Sequence, residues 1–328
     1  MSTHQVQTFS TGIFTISLDF ELIWGTLDLF GPEKFRSICL RERVVVERLL
    51  ELFAEFEVSA TWCTVGHLFL RECADHHGVK HPQIVRPNHA WVSNDWFAHD
   101  PCGDESSEPV FYGRSLIEKI LACRVPQELG CHTFSHAIFG DPGCSKATAR
   151  TELAECVKLA RQMGVEMRSF VFPRNRVGHL DVLQEFGFTC YRSREPQWYE
   201  RWPEAVKRAG HLFNVLVATE PPVSLPQLDE GGLWHTPASM LYFPMKGNRR
   251  HFVPVSVRVK RARKGLDAAV KRKRVFHLWF HPTDMAEEID RMFAGLRSIL
   301  EYARTLRARG DIETLPMGAL VPRMELAA

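Results

Sequence analysis

The ten residues Gln127-Glu-Leu-Gly-Cys-His-Thr-Phe-Ser-His136 place two imidazoles four positions apart, just after a short apolar run that reads as a buried strand. Neutral imidazole is a common ligand of divalent ions, so His132 and His136 are the first candidates for holding a metal. The spacing alone carries little weight, because 15 histidines in 328 residues supply about 0.7 such pairs by chance. The chain in fact holds three, His77/His81, His132/His136 and His277/His281. Other residues must converge on the same place before any pair means more than the rest.

Several candidates do. Phe14-Thr-Ile-Ser-Leu-Asp19 is β-branched and apolar and reads as a first buried strand that ends in Asp19-Phe20-Glu21. The period of two along an extended chain puts both carboxylates on one face, in company too apolar for an ordinary surface turn (Phe20, Leu22, Ile23, Trp24). Val275-Phe-His-Leu-Trp-Phe-His281 is a late strand with His277, Trp279 and His281 on one face. A strand over 168–173 runs out into Arg174 and Asn175.

The elements that carry these residues alternate regularly. Apolar residues at helical spacing predict helices over 40–57, 115–123, 148–164, 179–186 and 285–309. Strands are predicted at 14–19, 59–65, 127–131, 168–173, 188–193, 233–239, 275–281 and 313–315. A helix or strand at 211–218 is the one expectation in the proline-rich middle. Seven or eight β-α units in a row want a parallel sheet, and in a β/α barrel the C-terminal strand ends meet on the face that carries the active site. Asp19, Glu21, His132, His136, Arg174 and His281 all fall there. Two imidazoles and a carboxylate make an open site for zinc or a similar ion, a second carboxylate can take a proton from water, and a third histidine can protonate a leaving group. That set performs metal-assisted hydrolysis of an amide or ester.

These motifs resemble, in order, those of the polysaccharide deacetylase family. The resemblance rests on Ile16-Ser-Leu-Asp-Phe-Glu21, Ala60-Thr-Trp-Cys-Thr-Val-Gly66, Glu128-Leu-Gly-Cys-His-Thr-Phe-Ser-His136 and Leu278-Trp-Phe-His281, and runs from about residue 13 to 315. It implies a distorted (β/α) barrel of about seven parallel strands that removes N- or O-acetyl groups from sugars with a divalent metal, zinc by preference. By the same resemblance Asp19 is the general base, Glu21, His132 and His136 are the metal ligands, His281 is the general acid and Trp279 lies near the acyl pocket. The usual adjacent Asp-Asp is replaced by Asp-Phe-Glu, which makes this a divergent member. The usual Arg-x-Pro-Tyr becomes Val171-Phe-Pro-Arg174-Asn175, which leaves Arg174 to clamp Asp19 or Asn175 to contact the oxyanion.

Composition frames the rest. A net charge of +2 demands no polyanionic partner, and no run of about 18 apolar residues occurs. The first ten residues lack a basic and apolar leader pattern, so a cytoplasmic protein is expected. Nine cysteines without a framework fit buried thiols in a reducing compartment. A structural zinc drawn from Cys63, His67, Cys73, His76, His77 or His81 matches no standard ligand spacing, and half of that stretch reads as helix. Residues 78–113, rich in proline, glycine, histidine and tryptophan, are expected as a cap inserted into a single barrel domain, and 240–274 as a basic insertion. The nine Lys/Arg of 258–274 carry no interleaved aromatics, which disfavours nucleic acid and leaves peripheral contact with a membrane open. The expected substrate is an acetylated nucleotide sugar, a lipid-linked glycan precursor or a small aminosugar. The alternatives are a metal-free hydrolase of another linear or cyclic amide and a barrel that only binds anionic glycan or nucleic acid. Oligomeric state is not legible.

Overall fold

The computed structural model describes residues 9–73, 75–196, 218–243 and 253–325. The chain opens with β1 (Gly12–Phe20), buried along its whole length, and passes through α1 (Trp24–Phe30) and α2 (Arg36–Phe56) to β2 (Thr61–Thr64). A two-stranded hairpin of β3 (Asp75–His76) and β4 (Val79–Lys80) stands apart from the main sheet. Alternation resumes with α3 (Arg114–Leu121), β5 (Glu128–Cys131), α4 (Lys146–Gln162), β6 (Ser169–Val171), α5 (Leu180–Glu185) and β7 (Cys190–Ser193). The short strands β8 (Gln227–Leu228), β9 (Trp234–Pro237) and β10 (Met240–Leu241) precede α6 (Val255–Arg272) and β11 (Val275–Phe280). The described chain closes with α7 (Ile289–Ala308), β12 (Ile312–Thr314) and α8 (Leu320–Glu325).

Around the sheet the order is β10-β11-β1-β2-β5-β6-β7-β9-β8, with β12 on the early part of β1. From β11 through β9 every pairing is parallel. The two ends of this run are joined by a single step of chain: the Ala238 N–H donates to Ser193 at the end of β7, and the Ser239 N–H donates to His277 in β11. The result is the distorted (β/α) barrel expected from the sequence.

The apolar face of α2 (Val45, Leu49, Leu52, Phe53, Phe56) is buried against the sheet, and the helix stops where Glu57 turns left-handed at φ 53°. The long last helix begins at Ile289 rather than 285, because Pro282–Met285 forms a separate 3-10 turn after β11. The segment expected as a basic insertion instead supplies β10 and α6. Ala262, Leu266 and Ala269 of α6 are buried, and a Cβ on Gly12 of β1 would stand 2.8 Å from the Ala269 carbonyl carbon. Only glycine lets this helix lie so close to the sheet, so α6 is the crossover into β11 and not an addition to the barrel. Apart from Ala218, the element expected at 211–218 lies outside the described residues.

Candidate active site

β1 delivers Asp19 within the strand and Glu21 just beyond it, both buried despite their charge. The chain then folds straight into α1, and the Glu21 carboxylate lies across Gly25 so closely that a Cβ there would sit 1.8 Å from Oε1. His132 follows β5, where its N–H extends the ladder by donating to Thr64. The loop to His136 needs left-handed backbone at Thr133 (φ 60°) and at His136 itself (φ 62°). Glu152 of α4 holds that loop in place: it accepts from the Phe134 N–H at 2.7 Å, the Ser135 N–H at 2.9 Å and the Ser135 hydroxyl at 2.6 Å. From residues 78–113, Trp96 adds an Nε1–H bond to the same hydroxyl, at 2.7 Å.

The three expected metal ligands meet. Glu21 Oε2 lies 3.3 Å from His132 Nε2 and 3.2 Å from His136 Nε2. His132 Nδ1 donates to the Val171 carbonyl at 2.8 Å, which fixes the tautomer and turns a lone pair on Nε2 toward Glu21. Glu21 Oε2 is buried without a hydrogen-bond partner. A buried anionic oxygen facing two imidazole nitrogens in this way is what a divalent cation would satisfy, so the donor set fits a metal. Burial would raise the Glu21 carboxyl, but the two histidines, His136 foremost, bring it well below the usual range.

Asp19 is gripped by a residue the sequence did not single out. Arg192, fully buried in β7, donates from Nη1 to Oδ1 and from Nη2 to Oδ2, each at 2.7 Å. Its Nη1 also reaches the Ser17 hydroxyl at 3.0 Å, and its guanidinium lies 4.2 Å from the Trp279 ring centroid. Burial, the largest single influence, pushes Asp19 up, but the Arg192 charge and hydrogen bond, together with the charges of His132 and His281, bring the carboxyl below its ordinary value. Arg174, expected as the clamp, goes elsewhere. After Pro173 the chain turns left-handed at Arg174 (φ 54°) and Asn175 (φ 52°), and Arg174 pairs with both oxygens of Asp28 at 2.6 Å.

His281, at the end of β11, faces both acids. Its Nε2 is 3.7 Å from Asp19 Oδ2 and 4.0 Å from Glu21 Oε1, while Nδ1 donates to Asp284 Oδ2 at 2.9 Å. Burial works against its charged form, but Asp284, with Glu21 and Asp19, lifts the imidazole to about 10. About a quarter of the His281 side chain still reaches solvent. Trp279, two residues earlier, stacks edge-on with a ring separation of 5.6 Å.

No family model matches the chain, and no curated protein does. Solved structures do. A Mycobacterium smegmatis protein assigned as a polysaccharide deacetylase superposes over 99% of this chain and 93% of its own, with a TM-score of 0.61 at 15% identity. One from Pseudomonas aeruginosa PAO1, likewise so assigned, covers 94% and 90% with a TM-score of 0.59 at 12% identity. The fold is that of the polysaccharide deacetylases. PuuE allantoinase shares it, with a TM-score of 0.60 over 95% of this chain and 90% of its own at 11% identity. At such identities the likeness carries the polysaccharide deacetylase fold alone, and the chemistry has to be argued from Asp19, Glu21, His132, His136 and His281.

Among the described residues no helix is long and apolar enough to cross a membrane. Much of the basic stretch is engaged within the protein: Arg261 pairs with Glu195, Arg272 with Glu220, Arg263 bonds Ser298 and Lys264 bonds the Ala218 carbonyl. Arg258 is buried over the Phe243 ring at 4.2 Å. Charges spent in this way contribute little to a phosphate-binding surface.

Proposed function

We propose that this chain is a hydrolase that removes an acetyl group from an acetylated sugar. The observation that carries the reading is the meeting of a base clamped by arginine, an acid oriented by a carboxylate and a three-donor ligand set, with His281 Nε2 within 4.0 Å of both Asp19 and Glu21. Glu21, His132 and His136 would hold a divalent ion, zinc by the chemistry of the donors. When bound, such an ion polarises the acyl carbonyl and makes water a stronger nucleophile. Asp19, ionised and fixed by Arg192, takes the proton of the attacking water. His281, charged and aligned by Asp284, gives a proton from Nε2 to the departing nitrogen or oxygen. The two groups begin the reaction in opposite protonation states, as a base and an acid must.

The size of the substrate is part of the proposal. A cavity of about 210 Å³ lies between α1 and residues 78–113, lined among others by Trp24, Asp28, Trp91, Trp96 and Ser135. None of Asp19, Glu21, His132, His136 or His281 lines it, so the substrate class proposed, a nucleotide sugar, a lipid-linked precursor or a small aminosugar, rests on the sequence reading and not on this cavity. A cytoplasmic setting agrees with thiols such as Cys63, Cys156 and Cys190, which burial holds firmly protonated. A second reading, carried over from the sequence, is a metal-free hydrolase of another linear or cyclic amide; PuuE allantoinase adds only the shared fold.

One experiment separates them: release of acetate from a panel of acetylated nucleotide sugars and aminosugars, before and after chelation, in wild type, Asp19→Asn and His136→Ala. The deacetylase reading expects acetate release that chelation and both substitutions abolish. Activity that survives chelation favours the second reading, and full activity in Asp19→Asn removes the base.

A further inference from the structure

A second group of metal-ligating side chains lies outside the catalytic constellation. The sequence offered His67, Cys73 and His81 at a spacing that matched no zinc motif, on a stretch expected to be partly helical. The structure instead has a 3-10 turn at Gly66–Phe69 followed by irregular chain, and that irregularity lets distant donors converge. His67 Nε2 lies 3.2 Å from His81 Nε2 and 3.2 Å from Asp100 Oδ2, and His81 Nε2 lies 2.7 Å from the same oxygen. Cys73 Sγ stands 3.4 Å from His81 Nε2, 3.9 Å from Asp100 Oδ2 and 2.8 Å from Cys102 Sγ. Cys63, in β2, packs in a separate apolar cluster with Val171 and Cys190 and takes no part.

With both imidazoles neutral, hydrogen bonding among these groups does not balance. The Phe111 carbonyl can only accept, so His67 Nδ1, 3.1 Å away, carries the ring proton and Nε2 offers a lone pair. Asp100 Oδ1 already accepts from the Cys102 N–H at 3.0 Å, so Oδ2 alone aims at the cluster. One proton on His81 Nε2 serves Asp100 Oδ2 and leaves His67 Nε2 facing that oxygen lone pair to lone pair. The His67, His81 and Asp100 side chains are buried, so water cannot relieve this. Tetrahedral zinc with arms of about 2.0–2.1 Å to nitrogen and about 2.3 Å to sulfur puts nitrogen donors about 3.3 Å apart and nitrogen and sulfur about 3.5 Å apart. The observed 3.2 and 3.4 Å are close to both, while His81–Asp100 at 2.7 Å and Cys73–Cys102 at 2.8 Å are tighter and would spread on binding. His81 (φ 46°) and Cys102 (φ 48°) also hold left-handed backbone, conformations that strained ligand loops adopt.

We propose that His67, His81 and Asp100 form a structural zinc site, with the Cys73 thiolate, beside His81 and Asp100, drawn in as the fourth ligand. It ties the end of β2 to three points of the excursion that leads to α3. The Phe134 ring packs on both imidazoles, with centroids 5.6 Å from His67 and 5.3 Å from His81, and Phe134 lies in the loop between His132 and His136. Zinc here braces the wall on which the catalytic ligands stand, without touching substrate. The inference does not depend on the activity proposed above.

The test is metal content of the full-length chain purified without chelator, in wild type, His136→Ala, Cys73→Ser and His81→Gln, read together with the absorption of the Co2+-substituted wild type. Expected are about two equivalents of metal in wild type and about one in His136→Ala, with Cys73→Ser and His81→Gln lacking the equivalent that His136→Ala retains. Co2+ should show thiolate charge-transfer absorption that persists in His136→Ala, a readout that needs no variant of the cluster to fold. A His136→Ala protein devoid of metal, Co2+ spectra without thiolate bands, or a Cys73–Cys102 disulfide in the native chain would overturn the proposal.

Discussion

Arg192 reaches across the barrel interior from β7 and holds both carboxylate oxygens of Asp19, a residue 173 positions away in the chain, at 2.7 Å each. A planar fork matched to a planar acceptor both charges and orients the acid, and lysine cannot reproduce it. Arg192→Lys should lower kcat by about 10²-fold, the lower end of what general acid–base catalysis supplies. It should also move the acidic limb of kcat/KM to higher pH, because Asp19 loses the guanidinium that holds it below its usual value. Arg192→Met should cost about 3–5 kcal/mol of stability by leaving a buried carboxylate unpaired. A pH profile unchanged in Arg192→Lys would place the base elsewhere.

Gly25 carries a prediction about metal and not about chemistry. A methyl group there would occupy the space of the Glu21 carboxylate. Gly25→Ala is a mild change for a helix, yet it should displace Glu21 and cut metal occupancy at His132 and His136 severely while the fold persists. Metal analysis beside a circular dichroism spectrum checks this, and an alanine variant with full occupancy would show that Glu21 is not a ligand.

Asp284 is the main support of the charged form of His281. In Asp284→Asn the imidazole falls from about 10 toward its ordinary value, with Glu21 and Asp19 still raising it. A group that must be protonated to act is lost as pH rises through its pKa, so the alkaline limb of kcat/KM should move to lower pH. The expected loss is therefore largest at alkaline pH and shrinks as pH falls below the ordinary imidazole range. A uniform loss across the pH range would make Asp284 a packing residue only.

Glu42, fully buried in α2, should make stability depend on pH. Burial, with the Glu21 charge adding to it, raises its carboxyl from the ordinary 4.5 to about 8. Between those values the folded chain keeps a proton that the unfolded chain releases, so stability falls as pH rises from about 5 to 8. Glu42→Gln removes that slope. Its denaturation midpoint should exceed the wild-type value increasingly toward pH 8, and a constant offset from pH 5 upward would rule out this titration.

The placement of the site was legible to the extent that residues sat at the ends of apolar strands. Asp19, Glu21, His132, His136 and His281 each end or follow a run whose patterning located it. Arg192 was illegible for the opposite reason: it lies inside a strand, and period-two patterning does not say that an arginine points inward when its partner is 173 residues away. Arg174 misled because the left-handed turn after Pro173 depends on tertiary packing that spacing does not encode. Glu152 is one of two acids on α4 and gave no signal. The His67, Cys73, His81, Asp100 and Cys102 group spans irregular backbone, where neither helical nor strand periodicity brings its members together.

The step of chain at Ala238 and Ser239 gives the barrel a join of a different kind from its other walls. Elsewhere parallel ladders lock neighbouring strands, and a shift of register would turn every inward side chain outward. At the join two backbone bonds, to Ser193 and to His277, carry the closure. Directly after the join β10 ladders with Leu278 and Trp279 of β11, the strand that ends at His281. A change in the length of the join would therefore be felt first at the proton donor.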